Sequence, residues 1–268
     1  MSEQVTQTIP DAGDDIAIRV KDVSKKYENG MEANDDVYVL EHINIDVRKN
    51  EFVCVLGPSG CGKSTMLNMI AGYIKPSDGE IDIFGEQVKG ASRRAGVVFQ
   101  SHALMPWLTV RKNIMLGPKI NKKSKEECEE IADKYIQMIG LQGMESYYPK
   151  QLSGGMAQRV GIARALANEP EILLMDEPLG ALDAITRENM RIELLRIFEK
   201  EKITIFFITH SVQEAIYLAD RVIVLKDKKV DCDVHIDLDR PRNMQSEKFI
   251  EYVKFFESKL GTGTVTSD

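Results

Sequence analysis

The sequence predicts an α/β fold with a mostly parallel core sheet, an N-terminal antiparallel β-subdomain and an inserted α-helical subdomain. Three observations predict it. Short apolar runs of strand character alternate with segments of helical spacing over much of the 268 residues. One such alternation, from Phe52-Val53-Cys54-Val55-Leu56 to Met66–Ala71, passes through a glycine-rich turn. After Gln100 the texture turns helical up to Ala167, and strand-like runs then return.

The elements follow in order. Residues 1–15 are polar and acidic, contain Pro10 and Gly13, and are expected to form a disordered leader. Ile16–Val20 alternates and begins a strand. Lys25-Lys26-Tyr27 follows, then a polar loop from Glu28 to Asp36 holding Asn29-Gly30. Val37–Val47 alternates again, as a hairpin partner would. Strands are predicted at Glu80–Phe84, closed by Gly85, and at Gly96–Phe99. Helices are predicted at Val110–Leu116, Lys125–Ile139 and Ser153–Ala167, separated by Gly117-Pro118, Gly140 and Pro149. Ile172–Met175 and Ile203–Thr209 read as buried strands. Between them Asp183–Lys200 reads as a long amphipathic helix with an apolar stripe of Ile185, Ile192, Leu195 and Phe198. Ser211–Ala219 is a shorter helix with Ser211 as its cap. Arg221–Leu225 and Val230–His235 read as a hairpin, and Ser246–Leu260 as a helical tail. Residues 261–268 are expected to fray. The predicted organisation is one domain over 16–260, with the helical subdomain at about 101–160 inserted in its core.

Composition narrows the function classes. Hydrophobic residues at 43% and charged residues at 29% are ordinary for a soluble globular protein. A formal charge of −7 gives no general pull toward nucleic acid. Cys54, Cys61, Cys128 and Cys232 form no C-x-x-C pair, which points to a reducing cytosol rather than to disulfides or zinc. The chain shows no signal peptide, and its apolar runs fall short of the roughly 20 residues that span a bilayer. The expectation is a soluble chain that can sit on a membrane partner.

Gly57-Pro58-Ser59-Gly60-Cys61-Gly62-Lys63-Ser64-Thr65 fits G-x-x-x-x-G-K-[ST], the phosphate-binding loop of nucleoside triphosphatases. The glycines let the backbone curl so that successive N–H groups face the phosphates. The helix starting near Lys63 adds the positive end of its dipole. Lys63 can reach the β- and γ-phosphates. Ser64 offers a hydroxyl to Mg²⁺, and Thr65 stands on the α-phosphate side.

Ile172-Leu173-Leu174-Met175-Asp176-Glu177 is a buried strand ending in two carboxylates. In such a fold Asp176 would serve the Mg²⁺ and Glu177 would polarise a water for attack on the γ-phosphorus. Leu152-Ser153-Gly154-Gly155-Met156-Ala157-Gln158-Arg159 supplies a second glycine-rich helix N-terminus, suited to phosphate.

With these motifs in this order, the chain resembles the ATP-binding-cassette family of phosphate-loop (RecA-like) ATPases, from about Ile16 to Leu260. The family signature is L-S-G-G-Q, and Met156 here replaces its last residue. The resemblance places Gln100 in the loop that touches the metal or attacking water and senses the transmembrane partner. It places Ala181-Leu182-Asp183 in the loop that crosses the dimer interface, and makes His210 the histidine that contacts the γ-phosphate. Tyr27 matches the aromatic that stacks on adenine, with Tyr38 as its rival. Phe99–Val110, with Pro106-Trp107-Leu108-Thr109-Val110, is similar to importer ATPases of the nitrate/sulfonate/bicarbonate (taurine-type) group, as is Leu238-Asp239-Arg240-Pro241-Arg242. Trp107 stands either beside the groove that accepts the permease or in a core that anchors the helical insert.

The resemblance implies an ATP- and Mg²⁺-dependent importer subunit, peripheral on the cytoplasmic face of the plasma membrane. It would pair with a second copy or a homologous ATPase subunit and drive transmembrane permease subunits. A periplasmic or lipid-anchored solute-binding protein would act indirectly, with no nucleic acid involved. Alternatives are an exporter ATPase and a soluble cassette ATPase of nucleic-acid metabolism.

Overall fold

A computed structural model describes residues 15–28, 36–101 and 103–261. The predicted leader, apart from Asp15, lies outside these residues. So do His102, most of the loop between the first two strands, and the tail after Gly261. The chain divides into two compact units. One comprises the described residues up to Ser92 with those from Thr204 onward; the other is Arg93–Ile203.

The first unit begins with two long strands, β1 (Ile16–Glu28) and β2 (Asp36–Arg48), paired antiparallel as a hairpin. β3 (Phe52–Leu56) and helix α1 (Lys63–Ile70) follow, then β4 (Asp78–Ile83) and the short β5 (Glu86–Gln87). β4 lies antiparallel to β1, so the β-subdomain runs β2-β1-β4-β5. Register shifts between Val20 and Lys26 bend the long hairpin.

After Thr204 this unit adds β8 (Thr204–Ile208), helix α7 (Val212–Leu218), β9 (Arg221–Lys226), β10 (Lys229–His235) and helix α8 (Glu247–Leu260). The strands and helices between Arg93 and Ile203 belong to the second unit. β3 lies between β8 and β9 and is parallel to both, while β10 returns antiparallel on β9. Every residue of β3 and β8 is buried, as expected for parallel strands covered on both faces. Phe52 and Phe207 pack with ring centroids 5.8 Å apart. Arg221, only 1% exposed, forks onto both carboxylate oxygens of Asp233 and also donates to Glu51 and the Asp46 carbonyl, so its buried charge is compensated.

The second unit holds a parallel pair, β6 (Ala95–Val98) and β7 (Ile172–Asp176), in register Ala95↔Ile172 to Val98↔Met175. Between them run α2 (Val110–Ile114), α3 (Leu116–Ile120), α4 (Lys125–Met138), a 3₁₀ turn at Pro149–Gln151 and α5 (Gly154–Leu166). After β7 comes α6 (Ala184–Glu201). A Ser124–Glu127 capping box opens α4.

Two sequence expectations need correction. Gly117-Pro118 does not separate helices but lies inside α3. Pro118 falls in the first turn, where a missing N–H costs no helical hydrogen bond. In α6 the buried positions are Met190, Leu194, Leu195, Ile197 and Phe198, while Ile185 is 77% exposed. The core covers the later turns of this helix and leaves its first turn in solvent.

Candidate active site

In the first unit, β3 delivers the chain into the phosphate loop and α1 leaves it. Gly57 and Gly62 serve different needs. A side chain at Gly57 would put Cβ 2.3 Å from the Leu225 carbonyl oxygen of β9, so close approach is what excludes it. Gly62 has φ +98° and a Cβ there would meet Leu40 at 2.6 Å, so both backbone and space demand glycine. Lys63 is buried, and its Nζ donates to the carbonyls of Gly57 (2.7 Å) and Pro58 (2.9 Å). The loop therefore holds its own cation at its centre. Ser64 is exposed and Thr65 half-buried on the first turn of α1. Burial pushes the Cys61 thiol above its ordinary pKa, against the pull of Lys63.

The same unit carries His210 and Tyr27. His210 is exposed two residues after the end of β8. Tyr27 lies near the end of β1, 46% exposed, with Lys25 Nζ 5.1 Å from its ring centroid. Tyr38 is half-buried and faces Lys26 across the hairpin, while Tyr27 faces Val37.

In the second unit, Asp176 ends β7 and Glu177 follows with φ +44°. Glu177 is one of eleven non-glycine residues with positive φ among the described residues. Gln100 Nε2 donates to Glu177 Oε2 at 3.2 Å, so these two predicted groups meet. Ser153 caps α5 by accepting from Met156 N at 3.3 Å, and Ser153 and Gly154 are exposed. A Cβ on Gly155 would stand 3.3 Å from Leu182 Cδ2, which brings the signature turn against Ala181-Leu182-Asp183. Arg187 fastens that loop through the carbonyls of Leu179 and Leu182. Asp183 caps α6 by accepting from Thr186 N at 3.0 Å, and that bond holds its carboxyl below the ordinary range. Its carboxylate thus has a structural task that the sequence did not announce.

The helix N-termini differ in charge. α4, α7 and α8 place glutamate in their first turns, which offsets the positive end of the dipole. α1, α2, α3, α5 and α6 place no acidic residue there; of these, α1 and α5 open at the glycine-rich turns, where backbone N–H groups can face an anion.

The donors predicted for a metal are the Ser64 hydroxyl, the Asp176 carboxylate and the Gln100 amide oxygen. All are hard oxygen donors, which suits Mg²⁺. Among the described residues no group of three or more His, Cys, Asp or Glu side chains could hold a metal ion.

Two positioning residues escaped the sequence reading. Gln158, buried on α5, donates to the Phe99 carbonyl at 3.4 Å, next to Gln100. Asn113, fully buried on α2, binds only backbone: it accepts from Met105 N and donates to the carbonyls of Met105, Leu108 and Thr109. The loop it fixes displays Trp107, 69% exposed, so Trp107 does not anchor a core in this chain. The only signal was a polar residue at an otherwise apolar helical position.

Comparison with known proteins gives the family. Residues 40–180 match the family described as ABC transporter. The chain is 51% identical over 242 residues to an uncharacterized ABC transporter ATP-binding protein of Methanocaldococcus jannaschii, covering 89% of each. It is 43% identical over 241 residues to the aliphatic sulfonates import ATP-binding protein SsuB of Bacillus cereus, covering 89% of this chain and 94% of that one. Among solved structures it resembles an ATP-binding cassette in a dimeric post-hydrolysis state bound to ADP and Pi, with TM-score 0.75 and 38% identity, over 82% of this chain and 98% of that one. The fold is the phosphate-loop nucleoside triphosphatase fold, and no helix among the described residues is long and apolar enough to cross a membrane. The chain belongs to the ABC transporter family and is an ATP-binding, ATP-hydrolysing cassette of that family.

Proposed function

We propose that this chain is the ATPase subunit of an importer of the taurine-type group, for sulfonates, nitrate, bicarbonate or related small solutes. It would sit on the cytoplasmic face of the plasma membrane, bound to transmembrane permease subunits that a periplasmic or lipid-anchored solute-binding protein loads. The similarity to SsuB over nearly its full length supports the importer assignment. The exposed Trp107 supports a role in receiving the permease. Residues 16–260 would work as one ATPase domain, with about 101–160 as its helical subdomain.

In this reading two copies, or this chain and a homologous subunit, associate head to tail. Gly57–Thr65 of one chain and Ser153, Gly154 and Gly155 of the other hold each ATP. Lys63 neutralises the β/γ oxygens, and Tyr27 stacks on the adenine. Mg²⁺, when bound through Ser64, Asp176 and Gln100, would neutralise phosphate charge. Glu177 takes the proton of the attacking water, Gln100 orients that water, and His210 donates to the γ-phosphate. Asp183 sits in the loop that meets the partner. Because the γ-phosphate touches both chains, its loss changes which dimer state is favoured, and that difference drives the permease.

The observation that carries the hydrolytic step is Glu177 at the end of β7, paired with Gln100. Its test is Glu177→Gln, which keeps shape but cannot accept the proton. Turnover should fall by roughly 10²–10⁴-fold while ATP still binds, leaving an ATP-bound dimer visible by size-exclusion chromatography. Adding Ser153→Arg should abolish that dimer. Near-normal turnover in Glu177→Gln would refute the base, and a dimer that survives Ser153→Arg would refute the shared site.

A further inference from the structure

The turn that carries His210 is held by a buried acid that the proposed chemistry does not use. Glu214, on the first turn of α7, is 6% exposed, and Thr209 beside it is 3% exposed. Thr209 Oγ1 donates to Glu214 Oε2 at 2.7 Å. The same hydroxyl accepts from Ser211 N at 3.0 Å, and Ser211 Oγ accepts from Glu214 N at 3.3 Å. Thr209 N donates to the Val55 carbonyl of β3 at 3.3 Å, two residues before the phosphate loop. His210 stands between Thr209 and Ser211, so the residues on both sides of it belong to one hydrogen-bonded ring. The other end of α7 is fixed too. Arg242 donates to the carbonyls of Ile216 and Ala219, and Arg240 to that of Leu218.

Helix capping alone does not require this arrangement. The Ser211 hydroxyl already caps α7, and an exposed Glu214 would serve the dipole equally well. Burying a carboxylate is costly unless it makes a specific bond, and here that bond goes to the residue before His210. We propose that Glu214 is a positioning residue for ATP hydrolysis, fixing the His210 turn through the Thr209 hydroxyl. This rests on the reading of His210 as the γ-phosphate contact.

Steady-state ATPase assays on the whole chain test it. Glu214→Ala and Thr209→Val should lower kcat by about 10–100-fold, because small misplacements of a catalytic group carry such losses. KM for ATP should stay within about 2-fold, since the phosphate loop is intact. Glu214→Gln and Thr209→Ser, which keep an acceptor and a hydroxyl, should restore most of the rate. In a His210→Ala background Glu214→Ala should add no further loss, as expected of residues acting as a unit. The imidazole NMR signals of His210, assigned by their absence in His210→Ala, should move in Glu214→Ala and return in Glu214→Gln. Losses that multiply in the double variant, or unmoved imidazole signals, would overturn the proposal. Parent-like turnover in His210→Ala would instead overturn the role of His210, while the NMR signals would still report the positioning. Should Glu214→Ala fail to fold, the Thr209→Val and Thr209→Ser pair carries the same test.

Discussion

The phosphate loop and the signature turn are both glycine-rich entries into a helix, yet they are built differently. At the first, glycine is required by the chain itself: Gly57 meets a backbone oxygen of β9, Gly62 adopts φ +98°, and Lys63 is bound by the loop's own carbonyls. At the second, Ser153 and Gly154 are exposed, and the nearest neighbour of an added methyl on Gly155 is the flexible end of Leu182. Both turns keep an exposed rim, at Pro58, Ser59 and Gly60 in the first and at Ser153 and Gly154 in the second, so the difference lies in how tightly the glycines are held.

Four experiments break or sharpen this contrast, from the largest expected effect to the smallest. Lys63→Ala should weaken ATP binding by about 100-fold or more in an equilibrium titration, since charge-assisted hydrogen bonds to phosphate are lost. Unchanged affinity would remove the loop from the site. Gly57→Ala should lower stability by about 1–3 kcal/mol, because its methyl collides with backbone that has no rotamer to yield. Gly155→Ala should melt near the parent temperature yet reduce the ATP-bound dimer fraction of the Glu177→Gln protein. If the two alanines behaved alike in melting, the contrast would fail.

Tyr27→Ala should weaken adenine nucleotide binding by about 1–3 kcal/mol, the scale of a lost base stack. A loss in Tyr38→Ala with none in Tyr27→Ala would transfer the stacking role. Trp107→Ala should change stability by no more than about 0.5 kcal/mol, as an exposed side chain away from core packing should. The same variant should detach or uncouple the permease in reconstituted membranes. A normal transport rate would remove Trp107 from the docking surface.

Much of this was legible in the sequence because the signals are local. An apolar run, a glycine turn and a helix announce the phosphate loop without reference to the rest of the chain. Ser211 sits where a cap belongs, and it accepts the bond expected of a cap. Most failures came where a non-local partner decided the outcome; Pro118 is the local exception. Ile185 satisfied the periodicity of α6, but no core lies over the first turn of that helix. Pro118 looked like a stop, yet its place in the first turn of α3 makes it harmless. Asn113, Gln158 and Glu214 look like ordinary polar residues on helices, and only their packing shows them turned inward. The meeting of Gln100 and Glu177 joins residues 77 positions apart, which spacing alone does not reveal.

The way Asn113 holds its loop also bears on how such a subunit diversifies. All four of its hydrogen bonds end on main-chain atoms of Met105, Leu108 and Thr109, which every residue at those places would offer, proline at 105 excepted. The mount is therefore indifferent to what the tip displays. A lineage can exchange the side chains at 106–108 without refolding the loop that carries them. The reverse change is barred: aspartate at 113 has the same outline but would turn an oxygen without hydrogens toward three carbonyls. Selection on this segment should therefore be lax at the tip and severe at the asparagine that fixes it.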